Sequence, residues 1–155
     1  MRLWRLSSVR YARDFSGGYG FFNNGRWNTV GRPITYCATM ASLAALEKRV
    51  HVNNAATLPP QSMVAYDVPD DVPVRRIEVD ALPSDWARRE THTQQLGDEW
   101  LDSGEEAILL VPSVVVPITD AVDRNALINH RRPETTRITI AHVISFTLDP
   151  RLFRP

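Results

Sequence analysis

The sequence predicts one α+β domain built from short strands and a few helices. Three observations carry that expectation. Short β-branched and aromatic runs recur along the chain. Two or three segments have helical periodicity, and they do not alternate with the strands as βαβ units require. The 155 residues, 43% hydrophobic, suffice for one hydrophobic core, so a single compact domain is expected over 1–155.

The elements follow in chain order. Residues 3–6 read as an opening strand. Residues 16–33 hold five Gly, three Asn and four aromatics, which is loop chemistry. A loop of that length inside a compact domain is uncommon and often functional. Residues 34–37 form a short β-type run. A helix is expected over 39–54, with Thr39 as N-cap. Residues 63–68 and 74–79 read as strands around a Pro/Asp turn. Residues 83–89 and 91–101 read as helices, the second ending near Gly104. Residues 107–111 and 114–116 are β-branched runs on either side of Pro112 and Ser113. Residues 126–129, 137–140 and 143–147 read as the last strands.

Composition narrows the function classes. Lys+Arg and Asp+Glu are 18 each, so the formal net charge is zero. Domains that hold nucleic acid by bulk electrostatics carry a basic excess, so direct nucleic-acid binding by this chain alone is not expected. No apolar run reaches the roughly 18 residues of a membrane span. No signal-peptide pattern opens the chain, and Cys37 stands alone, so a reducing, cytoplasmic setting is expected. Among the basic residues only Lys48 is lysine. The arginines supply planar forks suited to phosphate or carboxylate.

The helix after Tyr36 carries the most informative pattern. At 100° per residue Met40, Leu43, Ala44 and Val50 share an arc, and Glu47 falls inside it, with His51 one turn on. A carboxylate on an apolar face needs a partner. It is either half of a structural ion pair or a catalytic acid, since perturbed acids gather at active sites. Arg26, between Gly25 and Trp27, either presents its fork to a phosphate or sits in an ordinary loop with Trp27 in the core. Tyr36 either stacks on a planar ligand or packs. Ser113 lacks the G-x-S-x-G setting of a nucleophile and reads as a turn or backbone-capping residue. Asn23 breaks the dinucleotide fingerprint that Gly18 and Gly20 begin. His51, His92, His130 and His142 are far apart, and with one Cys no zinc spacing exists, so no metal is expected. Cys37 reads as a buried small hydrophobe.

Taken together, these segments resemble the RES domain family. The resemblance rests on Gly25-Arg26-Trp27-Asn28, Gly31-Arg32-Pro33-Ile34-Thr35-Tyr36 and Ala41–Glu47 with His51. It continues through Thr93–Trp100, Val111-Pro112-Ser113, Asn125–His130 and Phe146–Leu152, nearly the whole chain. Two stretches depart from the family's usual pattern, Lys48-Arg49-Val50 and Phe21-Phe22-Asn23-Asn24. The resemblance implies an ADP-ribosyltransferase-like fold and a toxin of a bacterial toxin–antitoxin pair. NAD would be its substrate, and its partner a helix-turn-helix (Xre-type) antitoxin encoded nearby, in a possible higher-order complex. Carried over by position, the family's active-site residues are Arg26, Tyr36, Glu47 and Ser113. Trp27, Asn28 and Asn125 are further candidates for NAD contact. The implied reaction is cleavage of the nicotinamide–ribose bond, by water or by phosphate. The alternatives are ADP-ribosyl transfer to a specific protein and a non-enzymatic interaction module.

Overall fold

The β-branched runs pair into one seven-stranded sheet in a computed structural model that describes residues 1–153. The strands are β1 (Arg2–Ser8), β2 (Ile34–Ala38), β3 (Gln61–Asp67), β4 (Val74–Arg76), β5 (Ile108–Pro112), β6 (Arg124–Asn129) and β7 (Thr139–Phe146). Their order is β4-β5-β6-β2-β1-β3-β7, antiparallel throughout except for β4 on β5. The helices are α1 (Tyr19–Phe22), α2 (Ala41–Val50) and α3 (Glu90–Ser103). No helix among the described residues is long and apolar enough to cross a membrane. The α+β expectation therefore matches the observed architecture.

Both longer helices lie on one face of the sheet. Alternation along β2 points Ile34, Tyr36 and Ala38 to that face. α2 covers Ala38, Leu6 and Met63 with Leu43 and Ala44. α3 covers Ile34, Leu109, Val111 and Leu127 with Trp100 and Leu101, and Trp27 and Trp86 join that cluster. The reverse face buries Leu3, Cys37, Val64, Tyr66, Ile108, Leu110, Ala126 and Ile128 under Ala12, Val68, Val72 and Ile138 from connecting segments. Burial pushes the Cys37 thiol up to about 12, in keeping with a small apolar filler.

Several elements differ from the sequence reading, each for a physical reason. Thr39 is not a helix cap. Its N–H and hydroxyl extend the β2 ladder: the N–H donates to the Arg124 carbonyl, and Oγ1 accepts from the Arg124 N–H. Met40 precedes α2 without a side-chain cap. The buried stripe of α2 is narrower than its periodicity suggests, because Met40 and Val50 are exposed. The two strands read at 137–140 and 143–147 are the single strand β7. Ala141 is the extra residue of a bulge there, since His142 pairs with Ala65 and Ile140 with Tyr66. Residues 114–116 form bends, not a strand, and α1 interrupts the long loop.

His130 ties the loop to the sheet. Its Nε2 lies 2.8 Å from Thr35 Oγ1, and its ring packs edge-on against Phe15. Gly17, at φ +72°, permits that approach, since a Cβ there would sit 2.6 Å from His130 Cδ2. Burial, helped by Arg5 and opposed by Asp14, pushes His130 down to about 4. The unfolded chain binds this proton near pH 6.5 and the fold resists it. The contribution is therefore complete above pH 6.5 and is lost as pH falls toward 4, up to about 3 kcal/mol. Denaturant unfolding across pH 7 to 4 should show that loss, and His130→Gln should flatten it. An unchanged pH slope in the variant would contradict the assignment.

Candidate functional site

Between the α2 and α3 clusters the helix-bearing face carries polar groups. Asn125 is paired with Ala38 across β2 and β6, and Leu127 with Tyr36. Tyr36 and Asn125 are thus diagonal neighbours on one face, about 7–8 Å apart in such ladders. Glu47, half-buried, comes down from α2 toward the same strip.

The Glu47 carboxylate is held by one oxygen. Ser113 Oγ donates to Glu47 Oε1 at 2.7 Å, and Asn125 Nδ2 donates to the same atom at 2.7 Å. Oε2 takes no hydrogen bond among the described residues. Ser113 is completely buried and caps the bends that follow it: Oγ accepts the Val115 N–H at 2.9 Å and the Val116 N–H at 3.3 Å. With both lone pairs accepting, the one hydroxyl proton is left for Glu47. Ser113 thus caps the turn, as its sequence setting suggests, and bonds the acid as well. Glu47 is satisfied by neutral donors, and no ion pair to it occurs among the described residues.

A second cluster surrounds the Arg26 turn. The Gly25 N–H donates to the Asn28 carbonyl at 2.9 Å, closing residues 25–28 into a tight turn. The Tyr36 hydroxyl accepts the Trp27 N–H at 3.1 Å and donates to Asn28 Oδ1 at 2.7 Å. Burial pushes the Tyr36 phenol well above its ordinary value, so it is not a proton carrier at neutral pH. Its ring meets Tyr19 edge-on with centroids 6.2 Å apart. One Arg26 nitrogen, Nη1, donates to the Ala87 carbonyl at 3.2 Å. Trp27 is 1% exposed and Asn28 0%, and the Asn28 amide is occupied by Tyr36, Asn23 and Thr29. The side chains of Trp27 and Asn28 hold the turn from within. His51 is exposed at the C-terminus of α2 and belongs to neither cluster.

Sequence reasoning missed the face of α3 that grips this turn. Thr93, Gln94 and Asp98 bond to it, and Gly97 packs against it. A glycine inside a helical pattern is the available signal, because it costs about 1 kcal/mol against alanine and wants a packing reason. Of two surface hollows, one of about 600 Å3 lies along α3 and is lined by Gln94, Asp98 and Thr29 beside the Arg26 turn, and one of about 460 Å3 lies around Arg2, Thr39, Arg76 and Arg124. Neither is lined by Glu47, Arg26, Tyr36 or Ser113. Among the described residues no group of three or more His, Cys, Asp or Glu is placed to hold a metal ion.

Comparison with known proteins gives consistent matches. The sequence profile of the RES domain matches residues 2–149. A protein named Toxin Res from Pseudomonas putida is 37% identical over 155 residues, covering 99% of this chain and 100% of the relative. A Prs ADP-ribosylating toxin from a Sphingobium species is 35% identical, with 97% and 96% covered. Toxin Res from Photorhabdus laumondii is 32% identical, with 99% and 98% covered. A chain in the crystal structure of the M. tuberculosis MbcT–MbcA toxin–antitoxin complex superposes with a TM-score of 0.71 at 20% identity. It covers 98% of this chain and 86% of that one, and establishes likeness of fold.

Ser113→Ala should lower stability by about 1–3 kcal/mol, because it strands the Val115 N–H as well as removing the Glu47 bond. Urea unfolding of the variant checks this. An unchanged midpoint would show that the Ser113 hydroxyl does not organise the bends.

Proposed function

The chain belongs to the RES domain family, and from that membership we propose that it is the toxin of a bacterial toxin–antitoxin pair that cleaves the nicotinamide–ribose bond of NAD. One observation carries the chemical part of this reading. Glu47 is fixed through Oε1 by Ser113 and Asn125, with Oε2 free of protein hydrogen bonds among the described residues. An acid held that way is orientated in advance for charge that develops during reaction.

The bond in question joins a cationic nicotinamide to ribose, so the leaving group needs no general acid. The requirement is to stabilise an oxocarbenium-like ribosyl centre, as carboxylates do in glycoside hydrolysis. Glu47 supplies that negative charge and accepts a ribose hydroxyl. Ser113 and Asn125 orient Glu47; the Ser113 hydroxyl is fully used, so positioning is its main part, while Asn125 keeps its second N–H and its amide oxygen for the ligand. The Tyr36 hydroxyl is occupied, so the residue offers its ring to nicotinamide. Arg26 gives one N–H to Ala87 and keeps four of its five donors for the diphosphate. Water or phosphate completes the reaction. The partner is a helix-turn-helix antitoxin of the Xre type, in a complex that could include several copies of each chain.

A second reading has a specific observation in its favour: one relative is named as an ADP-ribosylating toxin. There the same residues bind and open NAD, and a protein side chain takes the ribosyl group in place of water or phosphate.

Purified, partner-free protein should release nicotinamide from NAD. Dependence on added phosphate separates phosphorolysis from hydrolysis. Glu47→Gln retains an oxygen for the Ser113 and Asn125 donors, so the fold should survive while turnover falls by about 10²-fold or more. A folded E47Q protein that still releases nicotinamide at the parent rate would defeat the assignment. A labelled protein band from tagged NAD, with no free nicotinamide in its absence, would favour transfer.

A further inference from the structure

The Arg26 turn is gripped from two sides, and nothing in the proposed reaction uses most of the groups that grip it. On the sheet side the Tyr36 hydroxyl holds the Trp27 N–H and Asn28 Oδ1. A Cβ at Gly25 would lie 2.4 Å from that hydroxyl and 2.6 Å from Asn28 Oδ1, so only glycine leaves room for the contact.

On the helix side, one edge of α3 binds the turn's backbone in order. Gln94 Nε2 donates to the Gly25 carbonyl at 2.9 Å. Thr93 Oγ1 donates to the Arg26 carbonyl at 2.7 Å, with the Glu90 carbonyl at 2.9 Å as its intrahelical alternative. A Cβ at Gly97 would lie 1.8 Å from the Trp27 carbonyl oxygen, so the backbones touch there. Asp98 accepts the Thr29 N–H at 2.9 Å and the Thr29 hydroxyl at 2.6 Å. Thr93, Gln94, Gly97 and Asp98 share one helix face by their spacing of three and four. The carbonyls of Gly25 and Arg26, the Trp27 backbone and the Thr29 N–H are each fixed by it.

We infer that Thr93, Gln94 and Gly97 of α3 are positioning residues that hold the Arg26 turn in the shape that receives the NAD diphosphate. This inference rests on the NAD reading above. Its consequence is a separation of effects. The α3 face acts on the Arg26 end of the site and not on Glu47, which is held by β5 and β6. Loosening the turn should therefore weaken dinucleotide binding and spare the chemical step.

Thr93→Val removes the hydroxyl at nearly constant shape, and Thr93→Ser keeps it. Gln94→Ala removes a second bond at a more exposed position and serves if T93V does not fold. The readouts are KM and kcat for NAD, and calorimetric binding of ADP-ribose, which carries the diphosphate but no nicotinamide. T93V and Q94A should raise KM, and weaken ADP-ribose binding, by about tenfold. kcat should stay within a few-fold of the parent, and T93S should restore both quantities. Parent-like KM and ADP-ribose binding in folded T93V and Q94A would overturn the inference while leaving the NAD reading intact. A fall in kcat with KM unchanged would overturn it as well. If the parent protein neither binds ADP-ribose nor cleaves NAD, the NAD reading fails and this inference falls with it.

Discussion

Everything at this site depends on two hydrogen bonds to one carboxylate oxygen. Ser113 is 66 residues from Glu47 and Asn125 is 78 residues away, yet both donors meet Oε1 at 2.7 Å. A half-buried carboxylate needs such donors to offset lost hydration. They sit at the two ends of the connection between β5 and β6, which makes the acid a fastener between α2 and the centre of the sheet. The second oxygen takes no hydrogen bond among the described residues.

The sheet makes that meeting possible. β6 lies between β5 and β2, so the strand that carries Asn125 runs beside both the strand that Ser113 follows and the Tyr36 strand. Both long helices pack on the same face, over different strands, and the polar groups fall in the gap between their apolar clusters. One side of the gap presents the acid. The other presents Arg26 on a turn that α3 and the Tyr36 hydroxyl hold rigid. Negative charge and a cationic fork are thereby supported by separate elements, which suits a substrate with a reacting sugar at one end and a diphosphate further along.

How much of this was legible in the sequence depends on the range of each interaction. Glu47 was visible because a carboxylate on an apolar helix arc demands an explanation within the helix itself. Its partners were not, since no local pattern links Ser113 and Asn125 to position 47 before the strand order is known. The burial of Trp27 and Asn28 is hidden for a related reason. Their glycine-rich surroundings read as an open loop, and only the packing of α3 against the turn encloses them. Thr39 has the composition of a helix cap, but strand pairing with Arg124 claimed its hydroxyl first. β7 was split in two because Ala141 breaks its alternation, which the bulge opposite Ala65 and Tyr66 absorbs. The central strands β2 and β5 were readable because their apolar, β-branched runs fit few alternatives. Resemblance to the family supplies the roles proposed for Arg26, Tyr36, Glu47 and Ser113, which spacing alone does not give.

In the proposed function one NAD molecule reaches from Arg26 to Glu47 across the Tyr36 ring. The most direct measurement is a crystal structure of the chain with an NAD analogue whose ribose ring oxygen is replaced by carbon, so that the glycosidic bond survives. The expected result is the diphosphate on the Arg26 guanidinium and the ribose within hydrogen-bond reach of Glu47 Oε2. An analogue bound elsewhere, for example in the hollow around Arg76 and Arg124, with Glu47 left uncontacted, would contradict it.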